Sequence, residues 1–344
     1  MQKEETLRVV LVGCGSMSGT WIETVQGLPG VEIVGLVDIR VEAAQSRAQV
    51  HHLTDVVISS QLTDVLEQIH PDVVFNCTIP EAHYETTLEA LEAGCHVLSE
   101  KPMADSLESA RKLISAAQRA NRRFAVMQNR RYDANIRRAK AYLATGELGS
   151  LTTVNSDFYI GAHFGGFRDE MHHVLLLDMA IHTFDAARFL TGANPVSVYC
   201  QEWNPADSWY THGASAVAIF EMTGGLIYTY RGSWCAEGLP TTWESDWRLI
   251  APQGSMKWDG GTSLQVQQVS ESGKFLSSFR DIDVPSSAPD TKTQGHASAI
   301  EDFISCLRED REPETAGTDN IKSLAMVFAA IESAETGKRV EISW

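Results

Sequence analysis

The chain has 344 residues, of which 43% are hydrophobic and 21% are charged, a composition typical of water-soluble globular proteins. This length is sufficient for two domains, each with its own core. The 28 basic and 45 acidic side chains leave a formal net charge of −17, which opposes binding to nucleic acid or to an anionic membrane.

The start of the chain shows no targeting pattern. Residues 1–5 lead directly into an apolar run without a signal-peptide pattern, and no apolar run approaches the length of a membrane span. The six cysteines include no Cys-x-x-Cys pair, which favours reduced, mostly buried thiols over disulfides or a zinc site. We therefore expect a cytoplasmic protein.

The first predicted elements form a strand, a glycine turn and a helix. The apolar run Leu7–Val12 is typical of a strand buried on both faces of a parallel sheet. Gly13 permits a tight turn after it, and Gly15 lets the backbone approach a pyrophosphate at the start of the following helix. Ser18 stands where a third glycine is usual, so either Ser18 or Gly19 provides the close contact between helix and strand.

A second strand, predicted at 31–37, ends at Asp38. A carboxylate at this distance accepts hydrogen bonds from the adenosine ribose and repels a 2′-phosphate, which favours NAD. Arg40 could instead receive such a phosphate, so NADP is an alternative. Together these elements predict a dinucleotide-binding unit, against the alternative of a glycine-rich turn in an unrelated α/β domain.

Strand and helix patterns continue to alternate up to residue 128. We predict helices at 62–69 and 81–93, strands at 72–78, 95–98 and 124–128, and a helix that begins in a capping box of Asp105 with Glu108. This alternation predicts a doubly wound parallel sheet in a domain of residues 1–128, with the ligand beyond the carboxyl ends of the strands.

Two of those strand ends carry polar residues. Thr78, Pro80 and His83 lie where a loop would cover the nicotinamide side of the cofactor, although a histidine at the start of a helix is often only a solvated polar residue. Glu100-Lys101-Pro102 ends another strand, and the proline gives the lysine a rigid support. Taken alone, a lysine at such a position is in most cases an ordinary structural or solvated surface residue.

The second half changes to consecutive strands. After a helix at 135–143, strands are predicted at 151–158, 196–203, 215–222, 226–234 and 246–251, and helices at 297–307 and 320–335 end the chain. Runs of strands favour an open, mostly antiparallel sheet in an α+β domain of residues 129–344. At 216–221, apolar side chains alternate toward both faces of this sheet. One face can therefore cover helices, and the other can meet a second subunit.

A predicted helix at 172–190 carries Asp178 and His182, which are four residues apart and share one face. An imidazole beside a carboxylate suits proton transfer, whereas the plain alternative is a helix-surface pair. His172, His173 and Glu170 add possible metal ligands, but no His-x-x-x-His spacing is present and no cysteine joins them. We therefore predict no metal.

Aromatic residues are frequent in this half, and most should be core. Loops near Trp234 and Trp243 could wall a pocket, because an indole packs well against the apolar face of a sugar ring. We predict substrate contacts from Arg168, Trp234 and Trp243.

Glu100-Lys101-Pro102, the Asn129-Arg130-Arg131-Tyr132 segment and Asp178-Met179-Ala180-Ile181-His182 make nearly the whole chain resemble the Gfo/Idh/MocA family (glucose–fructose oxidoreductase, inositol dehydrogenase and rhizopine catabolism). The resemblance implies an NAD(P)-dependent oxidoreductase acting on a secondary alcohol of a sugar or cyclitol. It implies that His182 acts as acid/base, that Lys101 stabilises the substrate oxygen, and that Asp178 orients His182 or binds an adjacent hydroxyl.

The resemblance also implies a homodimer or homotetramer formed through the second sheet. The predicted cofactor-binding residues are Gly13, Gly15, Ser16, Met17, Asp38, Ile39, Arg40, Thr78, Pro80, His83, Glu100, Lys101 and Gln128. Two alternatives stay open, an NAD-using glycosidase that works by transient oxidation, elimination and reduction, and a non-catalytic sensor of NAD or sugar.

Overall fold

The computed structural model describes residues 6–273, 275–288 and 291–344, so the prediction made from residues 1–5 lies outside the described part of the chain. Two compact units are present. The first comprises Met1–Asn129 with Gln294–Ile321, and the second comprises Arg130–Thr293 with Lys322–Trp344. No helix in the described ranges is both long enough and apolar enough to cross a bilayer.

Strands and helices alternate through the first part of the chain because each apolar run is followed by a turn and an amphipathic segment. The elements are β1 (Leu7–Val12), α1 (Ser18–Gly27), β2 (Val31–Val37), α2 (Val41–Val50), β3 (Val57–Ser59), α3 (Leu62–Ile69), β4 (Val73–Asn76), α4 (His83–Glu92), β5 (His96–Ser99), α5 (Leu107–Ala120) and β6 (Phe124–Val126).

Among the described residues, these six strands form one parallel sheet in the order β3-β2-β1-β4-β5-β6. The order reverses between β1 and β4, which is the switch point where this topology binds ligands. Val9, Val10 and Leu11 of β1 have no exposed surface, as expected for a strand covered on both faces. The predicted doubly wound fold is confirmed.

The start of α5 differs from the predicted capping box. The N-cap is Ser106, whose hydroxyl oxygen accepts a hydrogen bond from the Ser109 N–H at 3.1 Å. Asp105 lies one residue too early, so its carboxylate is not the cap. A serine at the N-cap satisfies one of the otherwise unpaired N–H groups of the first turn.

The second part of the chain is richer in strands. Its elements are α6 (Ala134–Ala144), β7 (Thr153–Tyr159), a π-helical segment (Leu175–Ala180), α7 (Ile181–Thr191), β8 (Pro195–Trp203), β9 (Ser215–Met222), β10 (Ile227–Ser233), β11 (Asp246–Ala251), β12 (Gly254–Trp258), β13 (Leu264–Glu271), β14 (Ser278–Ile282), α8 (His296–Arg308), α9 (Gly317–Thr336) and β15 (Val340–Glu341).

Nine of the described strands form the second sheet, in the order β14-β13-β12-β11-β7-β10-β9-β8-β15. Only the β7–β10 pair is parallel among these described pairings, so the mostly antiparallel prediction is confirmed. In β9 the side chains of Ala216, Ala218 and Phe220 are buried, whereas Ile219 on the opposite face is 47% exposed.

Residues 294–321 correct the predicted division of the chain at residue 128. They cluster with the first unit rather than with the second. The Val126 N–H donates to the Thr315 carbonyl at 3.0 Å, and Arg308 donates to the carbonyl oxygens of Pro29 and Gly30. This return of the chain depends on contacts between residues far apart in the sequence, which local patterns do not show.

The predicted helix at 172–190 also differs in detail. Asp178 lies in the π-helical segment and His182 lies in the first turn of α7. A π-helical turn is wider than an α-helical turn, so the α-helical spacing that we assumed between the two side chains does not hold there.

Candidate active site

The glycine turn after β1 has the shape that a phosphate cradle needs. Gly13 has a φ of +90°, and a Cβ atom there would lie 2.5 Å from the Cys77 carbonyl oxygen, so only glycine fits. A Cβ at Gly15 would meet no atom within 4 Å, which leaves the turn open on that side. Ser18 is fully buried, and its hydroxyl donates to the Gly15 carbonyl at 2.7 Å, so serine is accommodated in place of the third glycine.

The Asp38 carboxylate follows β2 and is held by two backbone N–H groups. The Cys14 N–H donates to Oδ2 at 2.8 Å, and the Arg40 N–H donates to Oδ1 at 2.9 Å. Each carboxylate oxygen can accept a second hydrogen bond, so the group can still receive the hydroxyls of a ribose. The Arg40 side chain is 76% exposed, with its Nε 4.0 Å from Oδ1.

Several other residues at this edge fit a dinucleotide. Met17, Ile39 and Ile79 expose 43%, 88% and 66% of their surface, and flat ring systems can cover such apolar side chains. Gln128 after β6 is buried, and neither its amide oxygen nor its amide nitrogen has a partner among the described residues. An orphaned buried amide is costly unless a ligand or water satisfies it.

The Glu100-Lys101 pair lies at the same carboxyl edge of the sheet, directly after β5. Glu100 Oε1 accepts a hydrogen bond from the Trp21 indole N–H at 3.2 Å, and Oε2 accepts one from the Lys101 backbone N–H at 3.3 Å. Burial raises the pKa of the Glu100 carboxyl, and the Lys101 ammonium opposes that shift. The Lys101–Pro102 peptide bond is cis.

His83 is not the solvated residue that its place at the start of a helix suggests. It is 1% exposed, and its two ring nitrogens contact the carbonyl oxygens of Thr78 and Pro102. The imidazole therefore lies beneath the loop that contains Thr78 and Pro80.

In the second unit, Asp178 is joined to Arg168. The Arg168 Nε donates to Asp178 Oδ2 at 3.0 Å, and the guanidinium lies over the rings of Phe164 and Phe167 at 5.0 and 4.8 Å. The ion pair makes Arg168 and Asp178, two of the predicted substrate-binding residues, neighbours in the structure. Together with the ring contacts it restricts the orientation of the guanidinium. His182 is buried, with 9% of its surface exposed.

The two predicted tryptophan contacts have different environments. Trp243 is 48% exposed, so one face of its indole is open to a ligand. Trp234 is 1% exposed and packs edge-on against Phe158, Phe164 and Trp243 at 4.9 to 5.7 Å. Its ring offers no free face, so in this structure it supports Phe164 and Trp243 rather than forming a stacking surface itself.

The histidines near the start of this segment contact other residues. The His173 Nδ1 lies 2.5 Å from Glu202 Oε2, and this hydrogen bond raises the pKa of His173. His172 stacks on His212 with 3.5 Å between ring centroids. Within the described residues, no group of three or more His, Cys, Asp or Glu side chains is placed to hold a metal ion.

Two residues beside the predicted cofactor site were missed by the sequence analysis. Arg47 of α2 donates to the carbonyl oxygens of Cys14 and Gly15. These two hydrogen bonds hold the backbone of the glycine turn in place. His296 at the start of α8 has its Nε2 3.9 Å from Glu100 Oε1, and burial lowers its pKa, as does the Lys101 cation. The only local signal for His296 is its position after Gly295 at a helix start.

Two family models match the chain and together cover more than half of it. The model described as "Oxidoreductase family, NAD-binding Rossmann fold" matches residues 7–128, and that described as "GFO/IDH/MocA C-terminal domain" matches residues 136–256. The chain belongs to the Gfo/Idh/MocA family. Residues 7–128 are this family's NAD-binding Rossmann domain, and the resemblance seen in the sequence motifs is confirmed.

Several relatives of this chain carry oxidoreductase names. The 1,5-anhydro-D-fructose reductase of Ensifer adhaerens is 25% identical over 340 residues, which cover 96% of this chain and 97% of the relative. The inositol 2-dehydrogenase of Arthrobacter sp. (strain FB24) is 31% identical over 196 residues, 56% of this chain and 57% of the relative. The prediction of an NAD-binding oxidoreductase is confirmed at this level.

A solved structure shows the same fold along almost the whole chain. It is an oxidoreductase from Agrobacterium radiobacter in complex with NAD+, L-tartaric acid and magnesium. It superposes with a TM-score of 0.84, is 20% identical, and covers 98% of both chains. Identity this low supports the architecture and does not transfer a substrate.

Proposed function

We propose that this family member transfers hydride between NAD and a secondary alcohol of a sugar, sugar derivative or cyclitol. The observation that carries the proposal is the shared edge of the first sheet. The open glycine turn after β1, the backbone-held Asp38 after β2 and Lys101 after β5 all lie at the carboxyl ends of parallel strands in one unit. A cofactor-binding turn and an amine at the same edge suit reaction at a nicotinamide ring.

In this proposal, different residues of the first unit bind different parts of the cofactor. Gly13, Gly15, Ser16 and Met17 bind the pyrophosphate, and Asp38 with Ile39 and Arg40 binds the adenosine. The nicotinamide side is formed by Thr78, Pro80, Glu100, Lys101 and Gln128, and His83 lies buried beneath the loop that contains Thr78 and Pro80. When bound, NAD supplies the hydride acceptor or donor. The carboxylate of Asp38 favours NAD over NADP.

The proton is handled by side chains of this chain. His182 takes the proton of the substrate hydroxyl as general base, and Lys101 hydrogen-bonds the same oxygen and offsets its developing negative charge. Asp178 orients His182 or binds an adjacent hydroxyl, and its ion pair with Arg168 supports the position of that carboxylate.

Substitution of the two proposed catalytic residues tests this function. We expect Lys101→Ala and His182→Ala to lower turnover by at least ~100-fold, because each removes a proton-transfer or charge-stabilising group, while NAD still binds. The measurement is nicotinamide absorbance with a panel of hexoses, inositols, sugar acids and glycosides. Lys112→Ala is the matched control, since Lys112 is an exposed lysine of the same unit that forms a surface ion pair with Glu108.

Unchanged turnover in Lys101→Ala or His182→Ala would reject the assignment. Release of free sugar from a glycoside without net formation of NADH would instead favour the NAD-using glycosidase. NAD binding with no turnover on the whole panel would favour a sensor.

We also propose that the outer face of the second sheet joins copies of the chain into a homodimer or homotetramer. Tyr199, Ile219, Ile227 and Ile250 point away from the buried face and are 38% to 47% exposed. Exposed apolar side chains on neighbouring strands are typical of an interface.

A further inference from the structure

A buried polar network lies at the carboxyl end of β4. The Asn76 Oδ1 accepts hydrogen bonds from the Thr78 N–H at 3.2 Å and from the Thr78 hydroxyl at 2.6 Å. Its Nδ2 donates to the His83 carbonyl at 3.1 Å and to Thr87 Oγ1 at 3.0 Å. Asn76 and Thr87 have no exposed surface, so one amide fixes the loop after β4 to the first turns of α4.

The His83 imidazole extends this network to the next strand of the sheet. Its Nε2 lies 3.0 Å from the Thr78 carbonyl oxygen, and its Nδ1 lies 2.6 Å from the Pro102 carbonyl oxygen. Pro102 directly follows Lys101. One buried ring therefore joins the loop after β4 to the segment after β5 that carries the proposed catalytic amine.

Both partners of the ring are carbonyl oxygens, which only accept hydrogen bonds. A neutral imidazole has one N–H to donate, whereas an imidazolium has two. Burial lowers the pKa of His83, and the Lys101 cation lowers it further, while the two carbonyl oxygens and the Glu81 carboxylate oppose that shift. A neutral ring therefore donates to one carbonyl oxygen at a time, to Pro102 in the Nδ1-protonated form and to Thr78 in the Nε2-protonated form.

We propose that His83 is a positioning residue with two separable actions. Through the Pro102 carbonyl it sets the position of Lys101, and through the Thr78 carbonyl it sets the loop at Thr78–Pro80 on the nicotinamide side of the cofactor. The proposal rests on the proposed function of Lys101. Displacement of a reacting group by about 1 Å costs on the order of 100-fold in rate, so a residue that fixes this segment affects turnover without touching the substrate.

Two matched variants separate the two actions. The side-chain amide of asparagine occupies about the position of Nδ1 and can donate to Pro102, whereas that of glutamine reaches about the position of Nε2 and can donate to Thr78. We expect His83→Gln to lower kcat by ~10-fold to ~100-fold with little change in the Kd of NAD. We expect His83→Asn to keep most of kcat but to weaken NAD binding several-fold.

The readouts are independent of each other. The Kd of NAD is measured by isothermal titration calorimetry without substrate, and kcat with the panel sugar that the wild-type enzyme oxidises fastest. In a Lys101→Ala background, His83→Gln should cause no further loss of turnover, because its effect passes through Lys101. Additive losses would contradict the proposal.

The outcomes distinguish this proposal from the proposed function. Wild-type turnover in Lys101→Ala rejects the function, and with it the Lys101 half of the role of His83. A large loss in Lys101→Ala combined with identical changes in the two His83 variants rejects the role of His83 alone. Should both variants fail to fold, ¹⁵N NMR of the wild-type ring decides the matter, since an unprotonated Nδ1 at neutral pH would overturn the proposed bond to Pro102.

Discussion

At the scale of single residues, the carboxylate of Asp38, which we propose selects the cofactor, is held in place by the backbone. Two backbone N–H groups orient its carboxylate, so the charge stands at a fixed place at the end of β2. A fixed negative charge there attracts ribose hydroxyls and repels a phosphate.

Asp38→Ser therefore should shift the choice of cofactor. We expect the ratio of the Kd for NADP to the Kd for NAD to fall by at least ~10-fold, equivalent to about 1.4 kcal/mol, because the repulsion is removed. Titration of the protein with each dinucleotide measures it. Arg40→Ala is the control, and tighter binding of NADP than of NAD by the wild type, lost in Arg40→Ala, would show that Arg40 receives a 2′-phosphate.

The His173–Glu202 pair predicts a dependence of stability on pH. The hydrogen bond that the His173 ring donates to the Glu202 carboxylate raises the folded-state pKa of His173 above its unfolded value of about 6.5, so the pair stabilises the fold fully below that value. This contribution is lost as pH rises through the raised pKa. We expect Glu202→Gln to lower the thermal midpoint more at pH 5.5 than at pH 9.

The exposed pair of His163 and Glu237 provides the matched control. Their side chains are 62% and 68% exposed, and ion pairs in water contribute little to stability. Glu237→Gln should change the midpoint only slightly at either pH. An equal loss in Glu202→Gln at both pH values would contradict the role of His173.

At the scale of secondary-structure elements, the N-terminus of α5 separates two neighbouring residues. We expect Ser106→Ala to lower the free energy of unfolding by ~1 kcal/mol, because the Ser109 N–H loses its side-chain acceptor. Asp105→Ala should change it by less than ~0.5 kcal/mol, since Asp105 is exposed and outside the cap. Urea unfolding measures both free energies. A larger loss in Asp105→Ala than in Ser106→Ala would instead support the capping box that the sequence predicted.

The elements that the sequence predicted well are those with a strong local pattern. β1, β2 and α3 have the predicted bounds because apolar runs and helical periodicity are properties of short segments. β13 and β14 were missed because their strands are largely polar, as in Gln265, Gln267 and Gln268. Their pairing depends on the neighbouring strand rather than on an apolar alternation.

At the scale of the whole molecule, the proposed interface predicts the assembly state. We expect the wild type to be a dimer or tetramer, and Ile219→Arg to give a smaller species, because a charge would be buried on the outer face of the sheet. Sedimentation velocity measures the change. Leu239→Arg is the control, since Leu239 is a fully exposed loop residue; a monomeric wild type at micromolar concentration would refute the interface.

The sequence by itself determined the two fold classes, the dinucleotide-binding turn and the family, because these reside in short-range periodicity, turn residues and motifs. Only the tertiary structure assigned residues 294–321 to the first unit, buried Trp234 beneath other aromatic rings and placed His83 between two carbonyl groups. The physical reason is that these outcomes depend on contacts between segments far apart along the chain, and a residue's own neighbours in sequence carry little information about them.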